Sequence, residues 1–128
     1  MQHNGYVSIV SVTGNTKAPA VITNKAGEWV IEYEEPAAEW AHAKTRATVN
    51  SLDEPSLTVS RHGEVASTLV FAEEKHTIGT YEMEQGRVTL AIYTKSVNIA
   101  VSDKELHVTV SANIEGDPMT FDMLVTWT

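Results

Sequence analysis

Apolar residues recur at every second position through most of this chain. Leu106, Val108, Val110, Ala112 and Ile114 alternate with His107, Thr109, Ser111 and Asn113. Met119, Phe121, Met123, Val125 and Trp127 alternate with Thr120, Asp122, Thr126 and one apolar exception, Leu124. A period of two sends one set of side chains to each face of a strand. The two runs therefore predict strands with one buried face, joined by a turn at Glu115-Gly116-Asp117-Pro118.

The same signal recurs upstream. Trp29, Ile31 and Tyr33 oppose Glu28, Glu32 and Glu34, and Thr45, Ala47 and Val49 oppose Lys44, Arg46, Thr48 and Asn50. Val88, Leu90 and Ile92 form a further inward set, and Val97, Ile99 and Val101 another. Between His76 and Met83 the pattern favours Ile78, Thr80 and Glu82 on the inward parity. Tyr6 to Thr13 carries a phase error: Val7 and Ile9 share one parity, Val10 and Val12 the other. A β-bulge near Ile9-Val10 would reconcile them. Gly14 to Lys17 reads as a turn, Ala20 to Thr23 as a short strand, and Asn24-Lys25-Ala26-Gly27 as another turn.

The stretch Ser56 to Phe71 offers a register argument. A two-residue turn at His62-Gly63 would put Leu57 and Val59 on the opposite face from Val65, Leu69 and Phe71. A three-residue loop, Arg61-His62-Gly63, pairs Val59 with Val65 and gathers all five on one face. It also places Gly63 where a left-handed backbone is wanted. The expected hairpin uses that loop. Pro36 to Ala43 is the one segment with helix propensity, and at this length it is too short to be stable alone. It reads as a long loop with at most a helical turn, with Trp40 as a cap on something apolar.

The sum is about ten short strands at roughly 8–12-residue spacing, the signature of an all-β sandwich or barrel. Short connections between consecutive strands favour a meander over a Greek key. Apolar alternation on nearly every strand fits closure, which removes exposed edges. The expected fold is all-β: a single antiparallel meander β-barrel of about 8–10 strands spanning residues 1–128 as one domain.

Composition narrows the function. Hydrophobic residues make up 42% of the 128, enough for a core and too dispersed for a membrane helix. Nine Lys+Arg against 17 Asp+Glu give a net charge of −8, which disfavours nucleic acid and anionic membrane surfaces as partners. The chain has no cysteine, which excludes thiol catalysis and cysteine-ligated metals. Nothing in the first residues resembles a secretory signal, so the expected location is cytoplasmic. Acidic pairs at Glu34-Glu35, Asp53-Glu54 and Glu73-Glu74 fall in expected turns, where solvated charge is ordinary.

Certain residues occur in the order seen in a known family. They are Ile31-x-Tyr33-x-Glu35, Lys44-Thr45, Leu57-x-Val59-x-Arg61-x-Gly63-Glu64, then Tyr81, Gly86 and Thr94. The whole chain resembles the YwiB-like family of uncharacterised bacterial proteins. The resemblance implies a lipocalin-like (calycin-like) β-barrel in a bacterial cytoplasm and supplies no function. The chain departs from that pattern at Glu84-Gln85-Gly86, where the family often has a Pro-Tyr-Gly-like turn, and over Pro36 to Ala43.

Chemistry-bearing motifs are sparse. His3, His42, His62, His76 and His107 form no metal-binding spacing, and no nucleophile or phosphate-loop motif occurs, so neither a metal nor a cofactor is expected. The inventory leans against an enzyme. The expected interior is more informative. Tyr33, Thr45, Ser67, Thr80, Glu82 and Thr94 are its polar members, with Trp29 beside them and Arg61 at the loop. Two readings remain open: a barrel holding a small, partly apolar ligand at its mouth, with Trp29, Tyr33, Thr45, Arg61 and Thr94 as contacts, or a filled barrel acting through its surface on other proteins. In the second, Arg61 merely pins its turn by pairing with Glu64 or Glu35. An open interior above roughly 300 Å³ would favour the first.

Overall fold

The computed structural model describes residues 2–11, 14–35, 43–51, 54–63 and 65–128. They form ten antiparallel strands: β1 Gln2–Ser11, β2 Gly14–Lys25, β3 Glu28–Glu34, β4 Lys44–Asn50, β5 Ser56–His62, β6 Ala66–Ala72, β7 Lys75–Met83, β8 Gly86–Ser102, β9 Glu105–Ile114 and β10 Asp117–Trp127. Each pairs with its sequence neighbours, and β1 pairs with β10 to close the barrel. The meander and the closure follow the sequence expectation.

Alternation sets the interior. Val7, Ile22, Ile31, Val49, Leu57, Phe71, Ile92, Leu106, Val108, Val110 and Val125 are all fully buried within one core. Closure requires β1 and β10 to approach closely. Gly5 makes that possible: a Cβ there would stand 1.9 Å from the Thr126 carbonyl oxygen. The β2–β3 turn uses Ala26 and Gly27, both at positive φ, as expected of a tight two-residue hairpin turn.

Several expectations need correction. The phase error in β1 is not a bulge. Its ladder with β10 runs unbroken from Gly5 to Ser11, and Val10 simply faces solvent at 49% exposure. Val12 and Thr13 lie outside the described residues. The real bulge is in β8, between Thr94 and Ser96. One extra residue there switches parity, so Ile92 and Thr94 point inward before it and Val97 after it. What reads as two strands is one, and it bends from pairing with β7 to pairing with β9. Gly14 to Lys17 is the start of β2 rather than a turn. Trp40 and the rest of 36–42 lie outside the described residues.

The β5–β6 hairpin is also wider than expected. Val59 pairs with Leu69, not Val65, and Arg61 pairs with Ser67. The slip is four residues, an even number, so the inward set keeps its face. In β7 the parity is reversed. Ile78 is 62% exposed and Thr80 and Glu82 face outward with it, while Gly79 is buried and Tyr81 faces in. Packing explains the reversal: the side chains of Leu69 and Ile92 meet directly over Gly79, 2.7 and 3.0 Å from where its Cβ would be. No larger residue at that inward position fits without moving them. Glu73, read as a solvated turn charge, is half-buried and accepts a hydrogen bond from the Val97 backbone N–H at 3.2 Å.

Candidate ligand site at the barrel mouth

Strands β3, β5 and β7 end, and β4, β6 and β10 begin, at one end of the barrel. A cavity of about 500 Å³ lies there. Arg61, Tyr33 and Tyr81 line one side of it, and Ile9, Met119 and Phe121 line the other. Two further hollows, of 580 and 560 Å³, lie on the outer wall around Tyr6 and Pro19 and around Lys44 and Arg46. Those are bounded largely by outward-pointing side chains and do not enter the barrel.

The polar side of the cavity is built by register. Tyr33 pairs with Thr45, Thr45 with Arg61, Arg61 with Ser67, and Ser67 with Tyr81. Residues directly opposite across an antiparallel ladder share a face. Five consecutive strands therefore contribute one polar residue each to a single inward rung. One layer deeper the matching positions are Ile31, Ala47, Val59 and Leu69, all apolar. The polar rung thus sits at the rim of an apolar interior.

Glu35 completes it. Its backbone N–H donates to the Ala43 carbonyl at 2.8 Å, which extends the β3–β4 ladder one step and keeps the inward parity of Trp29, Ile31 and Tyr33. The residue is only 3% exposed. Its Oε2 accepts from Thr45 Oγ1 at 2.7 Å and from Arg61 Nε at 3.0 Å. This corrects the reading of Glu34-Glu35 as a solvated acidic pair. Burial is affordable because the carboxylate has both a cation and hydroxyl donors. Of the two partners considered for Arg61, Glu35 is the one seen; Glu64 lies outside the described residues. The Tyr33 phenol is held well above its ordinary pKa, first by burial and then by the neighbouring Glu35 carboxylate. It stays a neutral donor.

The five candidate contacts are thus divided. Tyr33 and Arg61 line the cavity, and Thr45 stands behind them on Glu35. Trp29 packs instead towards the other end of the barrel, tilted against Trp127 with ring centroids 5.2 Å apart. Thr94 is fully buried away from the cavity, its hydroxyl without a hydrogen-bond partner. Glu35 and Tyr81 were missed as interior residues. Glu35 continues the Trp29–Ile31–Tyr33 parity, a signal overridden by the acidic pair; Tyr81 was lost with the parity of β7.

A family model described as a domain of unknown function (DUF1934) matches residues 13–117. The chain belongs to that family. Its fold matches the crystal structure of the ywiB protein from Bacillus subtilis with a TM-score of 0.85, at 17% identity, covering 99% of this chain and 93% of that one. The resemblance to YwiB-like proteins holds, and at that identity the likeness establishes the barrel alone. No curated protein matches the chain. No helix among the described residues is long and apolar enough to cross a membrane.

Proposed function

We propose that this barrel binds a small, partly apolar molecule in its mouth. The observation that carries the reading is the cavity of about 500 Å³, within the range typical of small-molecule sites and mostly apolar with a few placed polar groups. A filled barrel acting only through its surface would have no need of such a space. The Arg61–Glu35 pair, instead of merely closing a turn, ties β3 to β5 and holds the rim of the cavity in place. Such pre-set geometry limits the ordering cost of binding.

Phenylnaphthylamine, an uncharged dye that brightens in apolar surroundings, tests this directly. Native protein is expected to bind it saturably. Val59→Trp, which fills the cavity from its wall, is expected to abolish the signal while far-ultraviolet circular dichroism stays native. Absence of saturable binding to the native protein refutes the reading.

A further inference from the structure

We infer that two copies of this chain pair edge to edge through the second half of β8. Closure removes free edges only where neighbouring strands run level, and β8 outruns both of its neighbours. Its ladder with β7 ends at Thr94, opposite Lys75, while its ladder with β9 continues to Ser102, opposite Glu105. Among the described residues, 98–102 therefore have a strand on one side only. Ser102 and Glu105 flank a two-residue turn, so the even positions bond to β9. The odd positions face the open side. Val97 shows this, since its N–H turns to the Glu73 carboxylate. The N–H and C=O groups of Ile99 and Val101 point the same way, out of the ladder.

Three features fit that edge to a second copy. It is unguarded. Three other overhangs carry residues that block strand addition: Lys17 and Pro19 on residues 14–19 of β2, Pro118 at the start of β10, and Arg87, 3.7 Å from Glu82, on residues 86–91 of β8. It is also uncharged. Residues 96–102, SVNIAVS, contain no ionisable side chain, no proline and no glycine, in a chain of net charge −8. Two such chains repel least where neither carries charge. Last, the segment is complementary to itself. Antiparallel pairing about Ala100 sets Ile99 opposite Val101 of the second copy and Asn98 opposite its Ser102. The odd positions then exchange their backbone hydrogen bonds, and Val101, 51% exposed, is covered. The pairing closes on a two-fold axis, so it stops at a dimer.

Sedimentation velocity from about 1 μM to about 1 mM tests this. The native protein is expected to pass from monomer to dimer as concentration rises. It should do so more readily at about 1 M salt than at about 0.01 M, because salt screens the repulsion between the two acidic chains. Val101→Pro removes only the N–H on the open side, so circular dichroism should stay native while dimerisation weakens at least about tenfold. Val101→Lys puts a charge on the same edge and is expected to weaken it as much; it decides alone if the proline variant does not fold. Thr89→Lys adds the same charge to the other β8 overhang and should leave the dimer unchanged. A monomer at every concentration overturns the inference. So does a species larger than a dimer, or a dimer that Thr89→Lys disrupts and Val101→Lys does not.

Discussion

Removing Arg61 isolates Glu35, and the cost can be worked from the geometry. The carboxylate is 4% exposed at its side chain and accepts from Arg61 Nε at 3.0 Å and from Thr45 Oγ1 at 2.7 Å. In Arg61→Met the aliphatic bulk remains and the charge goes. Glu35 is left desolvated with hydroxyl donors only. Breaking a buried pair from one side typically costs about 3–5 kcal/mol. The Arg61 side chain is 19% exposed, so water reaches part of the gap and the lower half of that range applies. For a chain of this length, about 3 kcal/mol lowers Tm by roughly 10–15 °C. Glu35→Leu costs less, because the uncovered guanidinium can turn to solvent. In the double variant neither charge is stranded, and its cost should not exceed that of Arg61→Met alone. Thermal and urea unfolding of the four proteins gives the coupling energy directly. Additivity within about 0.5 kcal/mol would refute the claim that the pair acts as a buried unit.

Other predictions follow from single positions. Gly5→Ala drives a Cβ into the Thr126 carbonyl at the barrel-closing seam and should cost at least about 3 kcal/mol in urea unfolding, whereas Gly79→Ala meets only terminal methyls of Leu69 and Ile92 and should cost nearer about 1 kcal/mol. Thr94→Val removes a fully buried hydroxyl with no partner at nearly constant volume, so Tm should hold or rise. Tyr33 has a folded pKa raised above its unfolded value of 10.0, so the unfolded chain loses that proton first. Its contribution is fully present below pH 10 and is lost as pH rises from there towards the folded pKa, at a limiting slope of about 1.4 kcal/mol per pH unit. Tyr33→Phe should flatten the stability curve above pH 10 by that amount, and an unchanged slope would contradict the assignment.

Much of the fold was legible because strand periodicity is a local property. Trp29–Ile31–Tyr33, Thr45–Ala47–Val49 and Leu106–Ile114 needed no partner to reveal their inward face. The even slip of the β5–β6 register shows the limit. The face of Leu57 and Val59 was readable, but which residue stands opposite was not, since Val65 and Leu69 share a parity. In β7 the pattern rested on Ile78 alone, and an exposed isoleucine misled it. Phase breaks were visible as phase breaks, yet their meaning was not: one was an outward Val10, the other a bulge inside β8.

By itself the sequence determined a meander of alternating strands, the polar inventory Tyr33, Thr45, Ser67 and Arg61, and the order of residues shared with the YwiB-like family. It could do so because alternation and order need no knowledge of what lies across the barrel. The tertiary structure decided that these polar residues fall on one rung, that Glu35 is buried beside them, and that Trp29 belongs to the other end. Those outcomes depend on register between strands far apart in the chain, by 26 residues in the Arg61–Glu35 contact and by more in that of Trp29 with Trp127. Only closure of the whole sheet sets that register, and with it the space left open at the mouth.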